Sequence, residues 1–582
     1  MHYFVMAHDE RDFEADGARW DHWDSYRIAS DFKSSDIRRT VQISSKISFA
    51  ANALVQIMQK SAEKGLIFCK NLVPLNNPDT TMNSSSIDDI SNPTTLIPLS
   101  PLDLLFVSRL SGFTIGYVLQ QGAFSPSSLE AAAIRVLNGW RLLAGWVEFT
   151  KNGSYIRVPL GNINLKDRLR FTLETLNVSL DVPDTTHGSA VFPRPSIEFF
   201  RDSSVPSNLP AYAETKWPLV SIRITEMTNC FCVGISVPHG VFDIFGFGQI
   251  MRGLNAELNG KEWTPPPLFT SNIMKDAFEE GLPSDVSSKE DTSVSTTPST
   301  GPKLDHFPSK SDLVSAATQA FAHFKNTLVP LTSIELIKMF LHSAYERFYH
   351  GVETQTVFID PRTLENMVRE VKDEVQASGK GRWVSTNDVL MAWMLKIAHQ
   401  DEHDNSHKVS AFLTISIRPV LREQLGNPLF DVYTHNSATL AGLPLLTKTE
   451  ICSMSIADVA YLSRLTIDSV RKDTIFVRSL FPWTNSANQD VVNGKGGLRG
   501  VARRSNQSFW SFTSHSIADL EGINFGSDIA ALWFWPLPNS FLAPDNGVVF
   551  NKFKGGYLVE AVGMRKSRWS KVVKEVERMN SI

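Results

Sequence analysis

The side chains best placed for chemistry are His239 and Asp243, four residues apart in Pro238-His239-Gly240-Val241-Phe242-Asp243. Histidine has the ordinary pKa best suited to proton transfer near neutral pH. The run Cys232-Val233-Gly234-Ile235-Ser236-Val237 before it is β-prone, and Pro238, with no N–H for a ladder, ends it. From Ile244 to Leu258 the residues Phe245, Ile250, Met251, Leu254 and Leu258 make a helical stripe. A histidine is thus presented on the turn between a strand and a helix, a loop on a rigid frame. The pair also has a plain structural reading. His239 can be a hydrogen-bonding turn residue, and Asp243 an N-cap for the helix that follows. Spacing alone does not choose between them.

Three other patterns have residue types that could do chemistry. His399, His403 and His407 fall at i, i+4 and i+8, a spacing that can gather imidazoles for zinc. Their stretch, HQDEHDNSH, is very polar and follows the last apolar residue of a helix, so a solvated helix end is expected and no metal. Gly494-Lys495-Gly496-Gly497-Leu498-Arg499-Gly500 is basic and glycine-rich but lacks the Gly-Lys-Ser/Thr ending of a phosphate loop. A surface loop is expected, with Arg499, Arg503 and Arg504 available to phosphates. Leu532-Trp533-Phe534-Trp535-Pro536 reads as a core strand, with a pocket-wall role second.

The elements that must hold these residues alternate between strands and helices. Ser128 to Leu143 is helical by pattern, followed by a hairpin of Trp146–Phe149 and Tyr155–Val158 around Lys151-Asn152-Gly153. A second hairpin, Leu219–Ile224 with Phe231–Val237, delivers His239. Helical stretches are expected at 311–323 and 333–348, then a strand at Thr356–Ile359 and a helix from Pro361 to Gln376. Ser385-Thr386-Asn387-Asp388 caps a helix from Val389 to His399. Both halves mix strands with helices, which predicts an α/β or α+β fold.

With 582 residues the chain exceeds one ordinary core, and two large domains are expected. Residues 1–90 read as a largely disordered extension with one plausible helix, Ala50 to Glu63. The Ser/Thr/Pro-rich stretch Pro283–Lys303 marks a linker or insertion over 281–310. The domains are then 91–280 and 311–582. Hydrophobic residues at 42 % and charged residues at 20 % are a globular balance, and a net charge of −4 gives no footprint for nucleic acid. No apolar run is long enough to span a membrane, and the acidic start lacks the pattern of a signal peptide. Four cysteines without a CxxC, two of them (Cys230 and Cys232) on one strand face, point to a reducing cytoplasmic setting.

His239-Gly240-Val241-Phe242-Asp243 has the His-x-x-x-Asp form of the BAHD acyltransferases, and further stretches resemble that family in the same order. Ile97-Pro98-Leu99-Ser100-Pro101-Leu102-Asp103 resembles its LSPLD segment, and Leu142-Leu143-Ala144-Gly145-Trp146 its LAGR segment with Trp for the final Arg. Val384 to Trp393 resembles its STND helix start, the most specific match. Ile417-Arg418-Pro419 with Tyr433-Thr434-His435-Asn436 resembles its R-x-R and YFGN segments. Asn524-Phe525-Gly526 stands where the family has DFGWG, with Asn for Asp and without the Trp and second Gly. The resemblance spans about 95–575 and looks closest to the fungal secondary-metabolite branch.

The resemblance implies a two-domain fold like chloramphenicol acetyltransferase, with the histidine in a channel at the domain interface. It implies no bound cofactor and no metal. Acyl-CoA, acetyl-CoA foremost, would be the co-substrate, and the acceptor a small hydroxylated metabolite such as a terpenoid or polyketide. His239 would be the general base, Asp243 a supporting residue paired with Arg418, and Thr513 the oxyanion donor, with Ser508-Phe509-Trp510 as a rival match. Ser385 and Thr386 are expected near CoA, and Arg418, Asn436, Asn524, Phe525 and Gly526 in structural roles. A cytoplasmic monomer without nucleic-acid or membrane partners is expected. Two alternatives stay open: carrier-protein-dependent condensation-like or N-acyl transfer, and a degenerate homologue that only binds.

Overall fold

The computed structural model describes residues 93–104, 112–150, 153–206, 208–279, 328–330, 346–380, 383–472, 499–501, 507–537 and 547–581. The expected extension over 1–90 with its helix, the linker 281–310, the stretch 311–323, most of 333–348 and most of the loop from Gly494 lie outside them. All described residues fall in one compact unit, Thr81–Ile582.

Two mixed sheets carry the structure. In chain order their strands are β1 (Gly112–Gln120), β2 (Arg170–Thr175), β3 (Ala190–Pro193), β4 (Ser221–Glu226), β5 (Cys230–Val237) and β6 (Val352–Ile359). Then follow β7 (Lys408–Ser416), β8 (Ala438–Gly442), β9 (Gln507–Ser514), β10 (Ile529–Leu537), β11 (Gly547–Phe553) and β12 (Gly556–Arg565). One sheet runs β10-β1-β5-β4-β2; the other runs β8-β7-β9-β11-β12-β6-β3, with Leu446–Thr447 added on β7. Each sheet takes an edge strand from the far half of the chain. β10 lies antiparallel along all of β1, and β3 lies antiparallel along β6. β1 and β5 are buried on both faces, which is why they read as nearly continuous apolar runs rather than alternating ones.

Helices cover the sheets: α1 (Pro126–Gly139), α2 (Ile244–Leu258), α3 (Pro361–Ala377), α4 (Thr386–His399), α5 (Ile456–Lys472) and α6 (Lys566–Asn580). One hydrophobic core joins β1, β5 and β10 to α1 and α2, and a second surrounds α4. The helix expected to reach Leu143 stops at Gly139. Trp140 leaves helical backbone (φ −113°, ψ 84°), packs its indole 6.0 Å from the Phe242 ring, and a 3₁₀ turn over Arg141–Ala144 follows. Burying the large ring outweighs the continuation of a helix already weakened by Gly139.

Candidate active site

β5 ends at Val237 and α2 begins at Ile244, so His239 lies in the connecting turn. Its ring is partly buried and meets Phe113 edge-on at 5.3 Å. Burial holds the imidazole below the usual histidine range, against opposing pulls from the turn's own backbone and from Asp243. It is therefore neutral at neutral pH, the state in which it can accept a proton.

Asp243 caps α2. Its Oδ1 accepts from the N–H groups of Phe245 and Gly246, each at 3.1 Å. Its Oδ2 lies 2.8 Å from Arg418 Nη2 and accepts from Ser437 N–H at 3.3 Å. Both oxygens are thus committed to the helix start and to the chain around residue 418. Arg418 is itself buried. It donates to Tyr433 O at 2.8 Å and to His435 O at 2.6 Å, with its guanidinium 4.4 Å from the Phe245 ring centre.

The segment Tyr433–Ser437 wraps the turn from the other side. Asn436 Nδ2 donates to His239 O at 2.7 Å, and His435 Nδ1 donates to Val241 O at 2.9 Å. A Cβ on Gly246 would lie 2.1 Å from Thr434 O, so only glycine lets this segment approach so closely. Asn436 is anchored in turn by Asp103, whose Oδ1 accepts from Asn436 N at 2.8 Å and Nδ2 at 2.9 Å. Asp103 Oδ2 accepts from Ser100 N and Oγ, both at 2.7 Å. Burial raises the Asp103 pKa, and the nearby His435 opposes that. The stretches around 100, 239, 418 and 435 therefore converge on one buried polar knot.

The remaining expected residues make contacts of their own. Thr513, in β9, has its hydroxyl 3.1 Å from that of Thr414 in β7. Ser508-Phe509-Trp510 goes into the second core, where Trp510 is fully buried and donates to His399 Nε2 at 3.2 Å. Ser385 is the N-cap of α4. Its Oγ donates to Asp388 Oδ2 at 2.6 Å, accepts from Asp388 N–H at 3.3 Å, and accepts from Arg464 Nη2 at 2.9 Å. Thr386 is the first residue of α4 and partly exposed. Asn524 sits at the far end of α2: its N–H donates to Asn255 Oδ1 at 2.9 Å and its Nδ2 to Asn259 Oδ1 at 3.1 Å. Phe525 packs on Tyr117 and Phe124, and Gly526, at φ +82°, takes the left-handed backbone that favours glycine.

One expectation is corrected. His399 is not on a solvated helix end. It is fully buried, donates from Nδ1 to Glu402 Oε2 at 3.1 Å, and is pushed to a pKa of about 3 by burial and by Arg568. The sequence around it is polar because Glu402 also pairs with Arg568, Lys448 and Lys571. α4 ends at His399, so His403 and His407 do not share a helix face with it. Sequence reasoning assigned no role to Asp103 or His515. His515 is 3 % exposed, and His239 acts electrostatically on it. The only local signal for Asp103 was its place in the Ser100–Asp103 segment.

No helix among the described residues is long and apolar enough to cross a membrane. Residues 190–443 match the model of the Transferase family. The acetyltransferase BOT5 of Botryotinia fuckeliana is 22 % identical over 355 residues, covering 57 % of this chain and 56 % of that one. The acetyltransferase pyiB of Pyricularia grisea is 21 % identical over 351 residues, covering 58 % and 61 %. The match thus spans less than two thirds of either relative. Among solved structures, F. sporotrichioides TRI101 complexed with coenzyme A and T-2 superposes with a TM-score of 0.52 at 14 % identity, over 84 % of this chain and 98 % of that chain. F. graminearum TRI101 complexed with coenzyme A and T-2 mycotoxin gives 0.53 at 17 %, over 83 % and 98 %. These neighbours share the fold, the two-domain architecture like chloramphenicol acetyltransferase. The matched segment and the shared architecture agree with the order of the motifs: over residues 190–443 the chain is similar to the Transferase family, and it shares the fold of these acyltransferase structures.

Proposed function

We propose that this chain is an acyl-CoA-dependent O-acyltransferase that moves an acetyl group from acetyl-CoA to a hydroxyl of a secondary metabolite such as a terpenoid or polyketide. The observation that carries the reading is the turn at His239: a neutral imidazole whose backbone is tied by Asn436 and whose neighbouring Asp243 is tied by Arg418. Relatives named acetyltransferases and neighbours complexed with coenzyme A support the donor.

In this reading donor and acceptor bind together. His239 takes the proton from the acceptor hydroxyl, and the oxygen attacks the thioester carbonyl. The tetrahedral oxyanion accepts a hydrogen bond from the Thr513 hydroxyl. On collapse the C–S bond breaks, and His239 returns the proton to the CoA thiolate. Asp243, Arg418 and Asn436 position the turn, while Asn524, Phe525 and Gly526 hold the far end of α2. Ser385 and Thr386 remain candidate CoA contacts, Thr386 more so because the Ser385 hydroxyl already serves Asp388 and Arg464. Domains over 91–280 and 311–582 belong to the same proposal. So do a monomeric state and a cytoplasmic location, the last supported by the free buried thiols of Cys230 and Cys232.

Labelled acetyl-CoA with a panel of terpenoid and polyketide alcohols tests the reading. His239→Ala should lower transfer about 10²–10⁴-fold with the thermal midpoint unmoved. Transfer that survives the substitution overturns the mechanism. Absence of transfer from the wild-type protein would favour the non-catalytic relative that the altered Asn524-Phe525-Gly526 segment brings to mind.

A further inference from the structure

Asp103 is a carboxylate that its own segment does not need. With Ser100 it makes the reciprocal bonds of a capping box, as Asp388 does with Ser385 at the start of α4. α4 runs for fourteen residues, whereas the helix that holds Asp103, Pro101–Leu104, has four. A cap on a single turn stabilises little, and a fully buried acidic side chain is costly to keep in a dry place. Asp388 has Arg464 as a counter-charge, bonded at 3.0 Å. The two oxygens of Asp103 accept from neutral donors, two on Ser100 and two on Asn436. What the carboxylate adds is a grip on Asn436.

That grip settles how the Asn436 carboxamide is turned. Its Nδ2 donates one hydrogen to Asp103 Oδ1 at 2.9 Å and the other to His239 O at 2.7 Å. Turned over, the group would set its oxygen against a carboxylate and a carbonyl, acceptors with no proton to share. The Asn436 N–H, bonded to the same Asp103 oxygen at 2.8 Å, fixes the backbone that carries the carboxamide. With Nδ2 committed, the amide oxygen is the atom left to act on the imidazole. The Asn436 side chain favours the protonated imidazole, the state that His239 reaches on taking a proton. The main chain of Asp103 lies against the same turn, since a Cβ on Gly240 would lie 3.5 Å from its carbonyl oxygen.

We propose that Asp103 is a positioning residue for His239, which orients the Asn436 carboxamide so that its oxygen stabilises the imidazolium formed as the acceptor gives up its proton. The proposal rests on the acyl-transfer reading and deepens it: a second carboxylate, besides Asp243, serves the base.

The first readout needs no acceptor. Carbethoxylation of His239 by diethyl pyrocarbonate, followed by mass spectrometry across pH, titrates the imidazole in the full chain. Asp103→Ala should move that titration down by about one pH unit, as should Asn436→Ala, since each removes the support of the protonated form. The double variant should move it no further than either single one, because Asp103 acts through Asn436. Asp243 and His515, which are also coupled to His239, are unchanged in all three. Asp103→Ser, an atom too short to reach Asn436, replaces Asp103→Ala where circular dichroism shows that the alanine variant does not fold. The second readout is transfer from labelled acetyl-CoA, in which kcat should fall about tenfold to a hundredfold with KM within about threefold. A folded variant at 103 or 436 in which His239 titrates as in wild type overturns the proposal, and so do shifts that add in the double variant. Wild-type protein that shows no transfer, in a chain where the shifts are found, overturns the acyl-transfer reading and leaves the hold of Asp103 on His239 standing.

Discussion

The two ends of α2 are held in opposite ways. At its start, Asp243 and Arg418 are buried charges, joined across 175 positions of sequence and enclosed by Tyr433–Ser437. At its end, roughly 22 Å away for fifteen residues of helix, Asn255, Asn259 and Asn524 exchange neutral hydrogen bonds in contact with solvent. The chain departs from the BAHD pattern that it resembles at the second end, where Asn524 stands in the place of an Asp. An amide serves there because neither partner is charged and water can complete any bond that is lost. At the first end no such substitution is open, because removing one charge strands the other in a dry place. Divergence at Asn524 therefore says little about the state of the turn at His239.

The contrast can be broken most directly at Arg418. Arg418→Met leaves the Asp243 carboxylate buried without its counter-charge and should cost about 3–5 kcal/mol, read as a large fall in the denaturation midpoint. Asp243→Asn should lose stability in step with whatever activity it loses. Full loss of transfer at an unchanged midpoint would make Asp243 a chemical residue and undo the contrast. Asn436→Ala removes one bond to Asp103 and one to the His239 carbonyl, and should cost about 1–3 kcal/mol. Because the turn is loosened, kcat should fall more than KM rises.

Acid probes the interior. A depressed histidine pKa gives stability that is present above the unfolded value of about 6.5 and is lost as pH falls toward the folded value. His515, held at about 3, should therefore weaken the fold by about 1.4 kcal/mol for each pH unit below 6. His515→Phe should remove that slope in pH-dependent denaturation. For the same reason transfer should be flat from pH 8 to 6.5 and decline only below that, since the depressed pKa of His239 keeps its base form populated. The smallest effect is expected at the far end of α2, where Asn524→Asp should change stability by less than about 0.5 kcal/mol and leave kcat as it was. A large effect there would mean that the amide bonds matter as much as the buried pair.

What could be read from sequence was what neighbours in sequence decide. Pro238 ending β5, Asp243 and Ser385 as caps, and the stripe of α2 all depend on contacts within four residues, and the strand, the caps and the helix are present. The pairing of Asp243 with Arg418 came from resemblance, since nothing near either residue names the other. Asp103 with Asn436 is a bond across 333 positions between two unremarkable polar residues. The burial of His399 is illegible locally for the same reason. The polarity of its own stretch is real, but Trp510 and Arg568, brought by distant β9 and α6, bury it.

The place of β10 at the edge of the first sheet also bears on how the chain is made. β1 can pair with β5 once Val237 has emerged, but its other edge waits for Ile529, roughly 290 residues later. At 5–20 residues per second that is about 15–60 s during which a nine-residue, almost wholly apolar strand offers unpaired N–H and C=O groups on a nascent chain. Such an edge templates pairing with any other extended segment. A chain stopped short of residue 529 would carry the His239 turn and yet keep that edge open, so aggregation on or off the ribosome, rather than weak catalysis, is the failure to which this topology is most exposed.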